Sequence, residues 1–97
     1  MEMPRSIDLD EYRTSGVRVF SGRERGRLIR AKAGLDDLDH QPNPVIVRIP
    51  EDVVAVSSGF FLALFGDSIR RFGREGFRAH YRFEGADISA VVEDALE

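Results

Sequence analysis

Hydrophobic and polar positions along this chain change period several times, and each change marks an element. Ser6-Ile7-Asp8-Leu9 alternates polar and apolar, as a short edge strand does. Arg13-Thr14-Ser15-Gly16 is turn chemistry. Val17-Arg18-Val19-Phe20 supplies β-branched and aromatic residues for a second short strand, and the two are expected to form a hairpin. Ser21 with Glu24 three residues later has the pattern of a capping box. It predicts a helix from about Gly22 to Leu38 with one narrow apolar stripe, Leu28, Ala31, Leu35 and Leu38. Gly34 weakens the middle of that helix, and the polar stretch Asp36 to Pro44, with Pro42 and Pro44, reads as a loop.

Val45-Ile46-Val47-Arg48-Ile49 is almost continuously apolar, which suits a central strand covered on both faces. Pro50-Glu51-Asp52 breaks it, and Val53 to Val56 runs extended toward the next element. From Ser58 to Phe72 the residues Phe60, Phe61, Leu64, Phe65, Ile69 and Phe72 make a broad helical face. Gly73 and Gly76 mark its exit. Phe77 to Phe83 alternates, with Phe77, Ala79, Tyr81 and Phe83 on one side and Arg78, His80 and Arg82 on the other, and predicts an edge strand. Such an edge offers one route to a homodimer. Ile88, Val91, Val92 and Leu96 fall on one face of a closing helix that Asp87 caps. The order (ββ)αβαβα predicts an α/β fold, a mixed sheet of about four to five strands with helices packed on it. Residues 1–16 read as an N-terminal edge strand or arm, and residues 17–97 as the body of the domain.

Composition narrows the functional classes. The chain has 97 residues, room for one domain. It has no cysteine, which excludes disulfides, thiolate metal sites and a cysteine nucleophile. The longest apolar stretch, Phe60 to Phe65, is too short to cross a bilayer, and Met1 to Arg5 lacks a signal-peptide pattern, so a cytoplasmic protein without a membrane partner is expected. Net charge is −3, but the charges are segregated. Six basic residues between Arg18 and Lys32 face a single acid, Glu24, while Asp87, Glu93, Asp94 and Glu97 at the other end have no base among them. Those two regions could pair between copies of the chain.

The segment with most chemical content is Val56-Ser57-Ser58-Gly59. A serine pair at a strand-to-helix junction sets hydroxyls beside free backbone N–H groups that favour negative charge. With the residues around it, Val45-Ile-Val-Arg-Ile … Val-Ser-Ser-Gly-Phe-Phe-Leu-Ala-Leu-Phe-Gly66 and the basic, glycine-marked turn at Gly73 resemble the core of a STAS domain, the sulfate-transporter and anti-sigma-factor-antagonist module. Ser21-Gly22-Arg23 and Leu64-Phe65-Gly66 are similar to features of small bacterial STAS-like domains of unknown function. The likeness runs from about Val17 to the end. It implies a STAS-like fold and a regulatory, protein-binding role. In antagonist members the serine after a family aspartate is phosphorylated by a histidine-kinase-like ATPase. The matching serine is Ser57, with Ser58 its neighbour, and Val56 stands where the family has aspartate.

The resemblance therefore implies a docking surface of Ser57, Ser58, Gly59 and Phe60, with Ser57 as the phosphorylation candidate and a histidine-kinase-like ATPase as the candidate partner. The alternative is nucleotide or nucleic-acid binding through the arginine-rich helix 22–33, using Arg23, Arg25, Arg27 and Arg30 as an anion site. No aromatic residues interleave with those arginines, so single-strand binding is disfavoured. Asp36-Asp37-Leu38-Asp39-His40 clusters carboxylates with an imidazole, but its spacing matches no calcium loop, and it reads as polar loop rather than metal site. With two histidines and no cysteine, no catalytic constellation assembles, and no GxxxxGK[ST] or GxGxxG is present, so neither an enzyme nor a cofactor is expected.

Overall fold

A computed structural model describes residues 5–97. It is an α/β fold with five short strands: β1 (Arg5–Asp8), β2 (Val19–Phe20), β3 (Val45–Ile49), β4 (Ala55–Val56) and β5 (Tyr81–Gly85). The helices are α1 (Arg23–Ala33), α2 (Leu35–Asp39), α3 (Ser58–His80) and α4 (Ser89–Leu96), with a 3₁₀ turn at Leu9–Tyr12. The strands form two sheets rather than one. β1, β3 and β5 make a three-stranded sheet with β3 in the centre, and β2 and β4 make a two-stranded one. All pairings are parallel, so the expected mixed sheet is replaced by two parallel ones. The expected hairpin between Ile7 and Val17 strands does not form: β1 pairs with β3 and β2 pairs with β4. Each of those partners lies beyond an intervening helix, and a parallel pair needs such a crossover.

Register explains the layer structure. Ile7, Val47 and Phe83 are neighbours across the three strands, as are Asp8, Arg48 and Glu84. Ile7, Val45, Val47, Ile49 and Tyr81 are buried on the helix-covered face. On the opposite face Ile46 is half-buried, while Ser6, Asp8, Arg48, Arg82 and Glu84 are exposed. The central strand is thus covered on one face only, and its other face is a charged ladder in which Arg48 pairs with Glu84 at 3.8 Å.

The aromatic core sits between the sheet and α3. Phe65 is its hub, with ring centroids 5.1 Å from Phe61, 5.6 Å from Phe77, 5.2 Å from Tyr81 and 5.5 Å from Phe83. Burying such side chains contributes roughly 1.5–3 kcal/mol each. Helix α3 extends well past the expected stop at Phe72. It breaks at Gly73, whose φ of 74° and ψ of 176° only glycine adopts readily, and a second helical segment then carries the chain to His80. Phe77 to His80, expected in a strand, are therefore helical, and the strand is the segment Tyr81–Gly85. Phe77, His80 and Tyr81 are spaced three and four apart, and all three are buried.

Helix α1 also differs from its reading. It ends at Gly34, in the left-handed conformation, instead of running on to Leu38, and Leu35–Asp39 forms the separate helix α2, which takes in the start of the expected loop Asp36–Pro44. No Ser21–Glu24 capping box forms; Gly22 occupies the cap position without a side-chain bond. The buried face of α1 is Gly26, Ile29 and Arg30, whereas Leu28 and Ala31 point to solvent. Gly26 sets this choice. A methyl group there would lie 2.5 Å from the Phe60 carbonyl oxygen and 2.8 Å from Ala63 Cβ, so α1 and α3 cross backbone to backbone.

This crossing makes a test of packing against propensity. Gly26→Ala should lower stability by about 1–3 kcal/mol, because the contacted atoms are α3 backbone and the Ala63 Cβ fixed to it, none of which can swing away. Gly66→Ala, inside α3, would meet only the flexible Arg70 guanidinium at 3.7 Å and should gain up to about 1 kcal/mol from helix propensity. Urea unfolding of both variants measures the two signs, and a stabilised Gly26→Ala would refute the close crossing.

Candidate functional site

Two parallel strand-to-helix units build the candidate surface. β2 leads into α1 and β4 leads into α3. The strands are joined by Val54 N–H donating to the Arg18 carbonyl and Ser57 N–H donating to the Phe20 carbonyl, both at 2.8 Å. The starts of α1 and α3 therefore lie side by side, and each directs its backbone N–H end and a partial positive charge to the same rim.

Ser57 is the N-cap of α3; its Oγ accepts from the Phe60 N–H at 3.1 Å, and it is half-buried. Ser58 is exposed and Gly59 half-buried, and Arg23 Cγ lies 3.6 Å from where a Gly59 Cβ would be. The serine–glycine junction and the first arginine of α1 are thus one surface. Phe60, expected in that surface, is fully buried and packs against Phe20 with the rings tilted and their centroids 5.2 Å apart. It holds the two helix starts together from inside and offers nothing to a partner.

The four arginines of the expected anion site divide. Arg25 turns away and donates to the Tyr12 carbonyl and to Thr14 Oγ1. Arg30 is buried. Arg23 and Arg27 remain, and they line a groove of about 450 Å³ between α1 and α3 in which Arg30 is paired with Asp36, Arg70 is paired with Asp67, and Leu62 is exposed.

Arg30 belongs to a buried polar cluster that the sequence did not announce. Its guanidinium donates to Asp39 Oδ2 at 2.8 Å, Asp36 Oδ1 at 2.7 Å, Ser68 Oγ at 3.0 Å and the Leu64 carbonyl at 2.9 Å. Asp39 Oδ1 accepts from Ser68 Oγ at 2.7 Å and from the Tyr81 hydroxyl at 2.5 Å. Beside it His80 Nε2 donates to the Leu38 carbonyl at 2.8 Å and its ring stacks on Phe72. Burial on its own would push the Asp39 carboxyl up, but the hydrogen bonds from Tyr81, Ser68 and Arg30 outweigh it and hold the group below its ordinary value. The Tyr81 hydroxyl is pushed well above its ordinary value, first by burial and then by Asp39. Asp36 and Asp39 both turn to Arg30, and among the described residues no group of three or more His, Cys, Asp or Glu is placed to hold a metal ion. Arg30, Asp39, Ser68 and Tyr81 are buried and fully bonded, and the exposed Asp36 covers the guanidinium from the solvent side, which gives the cluster the character of a fastening rather than a reactive centre. Its only trace in the sequence is Arg30 four residues after Gly26, on the same helix face.

No family model, curated protein or solved structure matches the chain. Among the described residues no helix is long and apolar enough to cross a membrane.

Asp39→Asn should cost about 3 kcal/mol at neutral pH, since it leaves the buried Arg30 guanidinium without its buried counter-charge and with only the exposed Asp36 as a close ionic partner. A carboxyl held below its unfolded value of about 4 contributes stability above that pH and loses it as pH falls through the folded value. The gap between wild type and Asp39→Asn should therefore narrow on acidification. Urea midpoints at pH 7 and pH 3 test this, and an equal gap at both would show that the charge of Asp39 is immaterial.

Proposed function

We propose that this chain is a small regulatory protein-binding module of STAS-like type, and not an enzyme, that docks a switch partner through the start of α3. The observation that carries the reading is the pairing of two helix starts at one rim, with exposed Ser58 and half-buried Gly59 beside Arg23. A partner that approaches the backbone at Gly59 would meet N–H donors, a serine hydroxyl and a guanidinium together, a combination suited to an acidic or phosphorylated surface. By the STAS resemblance, the partner is an ATPase of the histidine-kinase-like type. Phosphorylation of Ser57 would add about −1.5 to −2 charges at this rim while keeping oxygen acceptors for the Phe60 N–H, enough to switch docking. Nucleic-acid binding is the weaker reading, because Arg25 and Arg30 are already engaged elsewhere in the fold.

Gly59→Arg tests the docking surface. The added side chain starts in ordinary contact with Arg23 and borders the groove between α1 and α3, which has room for it, so the melting temperature should stay within about 3 °C of wild type. Affinity capture in the presence of ATP should then recover an ATPase or switch protein with the wild-type chain and lose it with Gly59→Arg. Equal recovery by the folded variant would remove this surface from consideration.

A further inference from the structure

Two helix ends in this protein carry charge of the sign that their own backbone disfavours. α1 opens with Arg23, and Arg25 and Arg27 follow, with Glu24 the single acid among them. A helix start concentrates positive backbone charge, so cations there are unfavourable. α4 is the mirror case. Glu93 and Asp94 lie in its second half, Glu97 follows directly, and the helix contains no base. Carboxylates sit there beside the carbonyl end, which is already negative. Within the described chain, neither Arg23 and Arg27 nor Glu93, Asp94 and Glu97 enter an ion pair.

The two sets match in shape. Arg23 and Arg27 are one helical turn apart, about 6 Å along the axis, on the wall of the groove between α1 and α3. On α4, Ala90, Glu93, Asp94 and Glu97 are all exposed and recur at three- and four-residue steps, so they form one stripe. Glu93 and Glu97 share the same spacing of about 6 Å. The groove also holds Leu62, 46% exposed, on the α3 side at the level between Arg23 and Arg27, where it would meet the stripe between Glu93 and Glu97. Both α1 and α4 pack against α3, so groove and stripe flank one helix.

We propose that the groove between α1 and α3 receives helix α4 of a second copy of this chain, with Glu93 and Glu97 set against Arg27 and Arg23. Each copy carries both surfaces, so a two-fold axis lets a pair make the contact twice. The interaction brings a negative helix end onto a positive one and neutralises charges that each chain alone leaves uncompensated. It would also cover Arg23, which puts self-association in competition with partner docking. The inference stands apart from the partner reading, because its test needs only purified protein.

The test is sedimentation equilibrium of the full chain at up to about 1 mM, where even a millimolar contact populates dimers. The dimer should form at about 50 mM salt and weaken at least about tenfold at 500 mM. The double variants R23E/R27E and E93R/E97R should each be monomeric. Both reversals place charge that suits the local helix end, so both variants should melt at or above the wild-type temperature. Mixed in equal amounts, they should associate again, because the acidic stripe and basic groove, and the basic stripe and acidic groove, are complementary. A wild-type chain that stays monomeric at low salt would overturn the proposal. So would association that survives either reversal, or a mixture that remains monomeric.

Discussion

The buried contact between Arg30 and Asp39 constrains this fold more than any other. Both side chains are almost out of solvent, at 10% and 5% exposure, where an unpaired charge would cost several kcal/mol. The pair is tolerated because every remaining donor and acceptor finds a partner, and among the described residues no buried side-chain polar atom is left unsatisfied. Those partners come from different elements: Ser68 and the Leu64 carbonyl from α3, Tyr81 from β5, and Asp39 itself from α2. An apolar core tolerates small slips of one element past another. A set of bonds with fixed lengths does not, so the cluster fixes the register of three helices and a strand at once.

That register decides which face of α1 is buried. Once Arg30 must reach Asp39, Gly26 falls one turn earlier at the crossing with α3, and Leu28 is left outside. The surface proposed for docking follows from the same geometry. Arg23 lies one further turn toward the start of α1, which brings it to Gly59. The interior bond and the exposed rim are therefore two ends of one helix orientation. Phe60 completes it from below by packing on Phe20, where β2 delivers the chain to α1.

The parts of the fold that were legible in the sequence are those with an unshared pattern. The apolar run of β3, the broad face of α3 and the acidic final helix each fit one kind of element only. Ser57 was readable as a helix start because a small polar residue before an apolar helical run has few other uses. Phe77 to Phe83 was misread because its residues satisfy two periods. Phe77, Tyr81 and Phe83 alternate as a strand does, while Phe77, His80 and Tyr81 also share a helix face, and the break at Gly73 allows a new helix to follow. The partners of β1 and β2 could not be read, since a strand of two to four residues does not encode which distant segment it joins. The role of Arg30 was hidden for a related reason: an arginine is buried only where its acceptors already wait, and these come from Asp39, Ser68 and the Leu64 carbonyl. The same limit made four arginines look like one site when the fold uses two of them internally.

Among the described residues every strand pairs across a crossover, and none pairs with its neighbour in sequence. Val19 meets Ala55, and Arg5 meets Val45, which in turn meets Tyr81. The described strands form no hairpin to serve as a local seed, so the loop-closure entropy of long segments must be met before their sheet hydrogen bonds reward it. For a domain of this size, such non-local topology places folding toward the slow end of the range. During synthesis, β1 and β2 leave the ribosome well before β3 and β4 exist to receive them. Until then their backbone edges stay open to other chains.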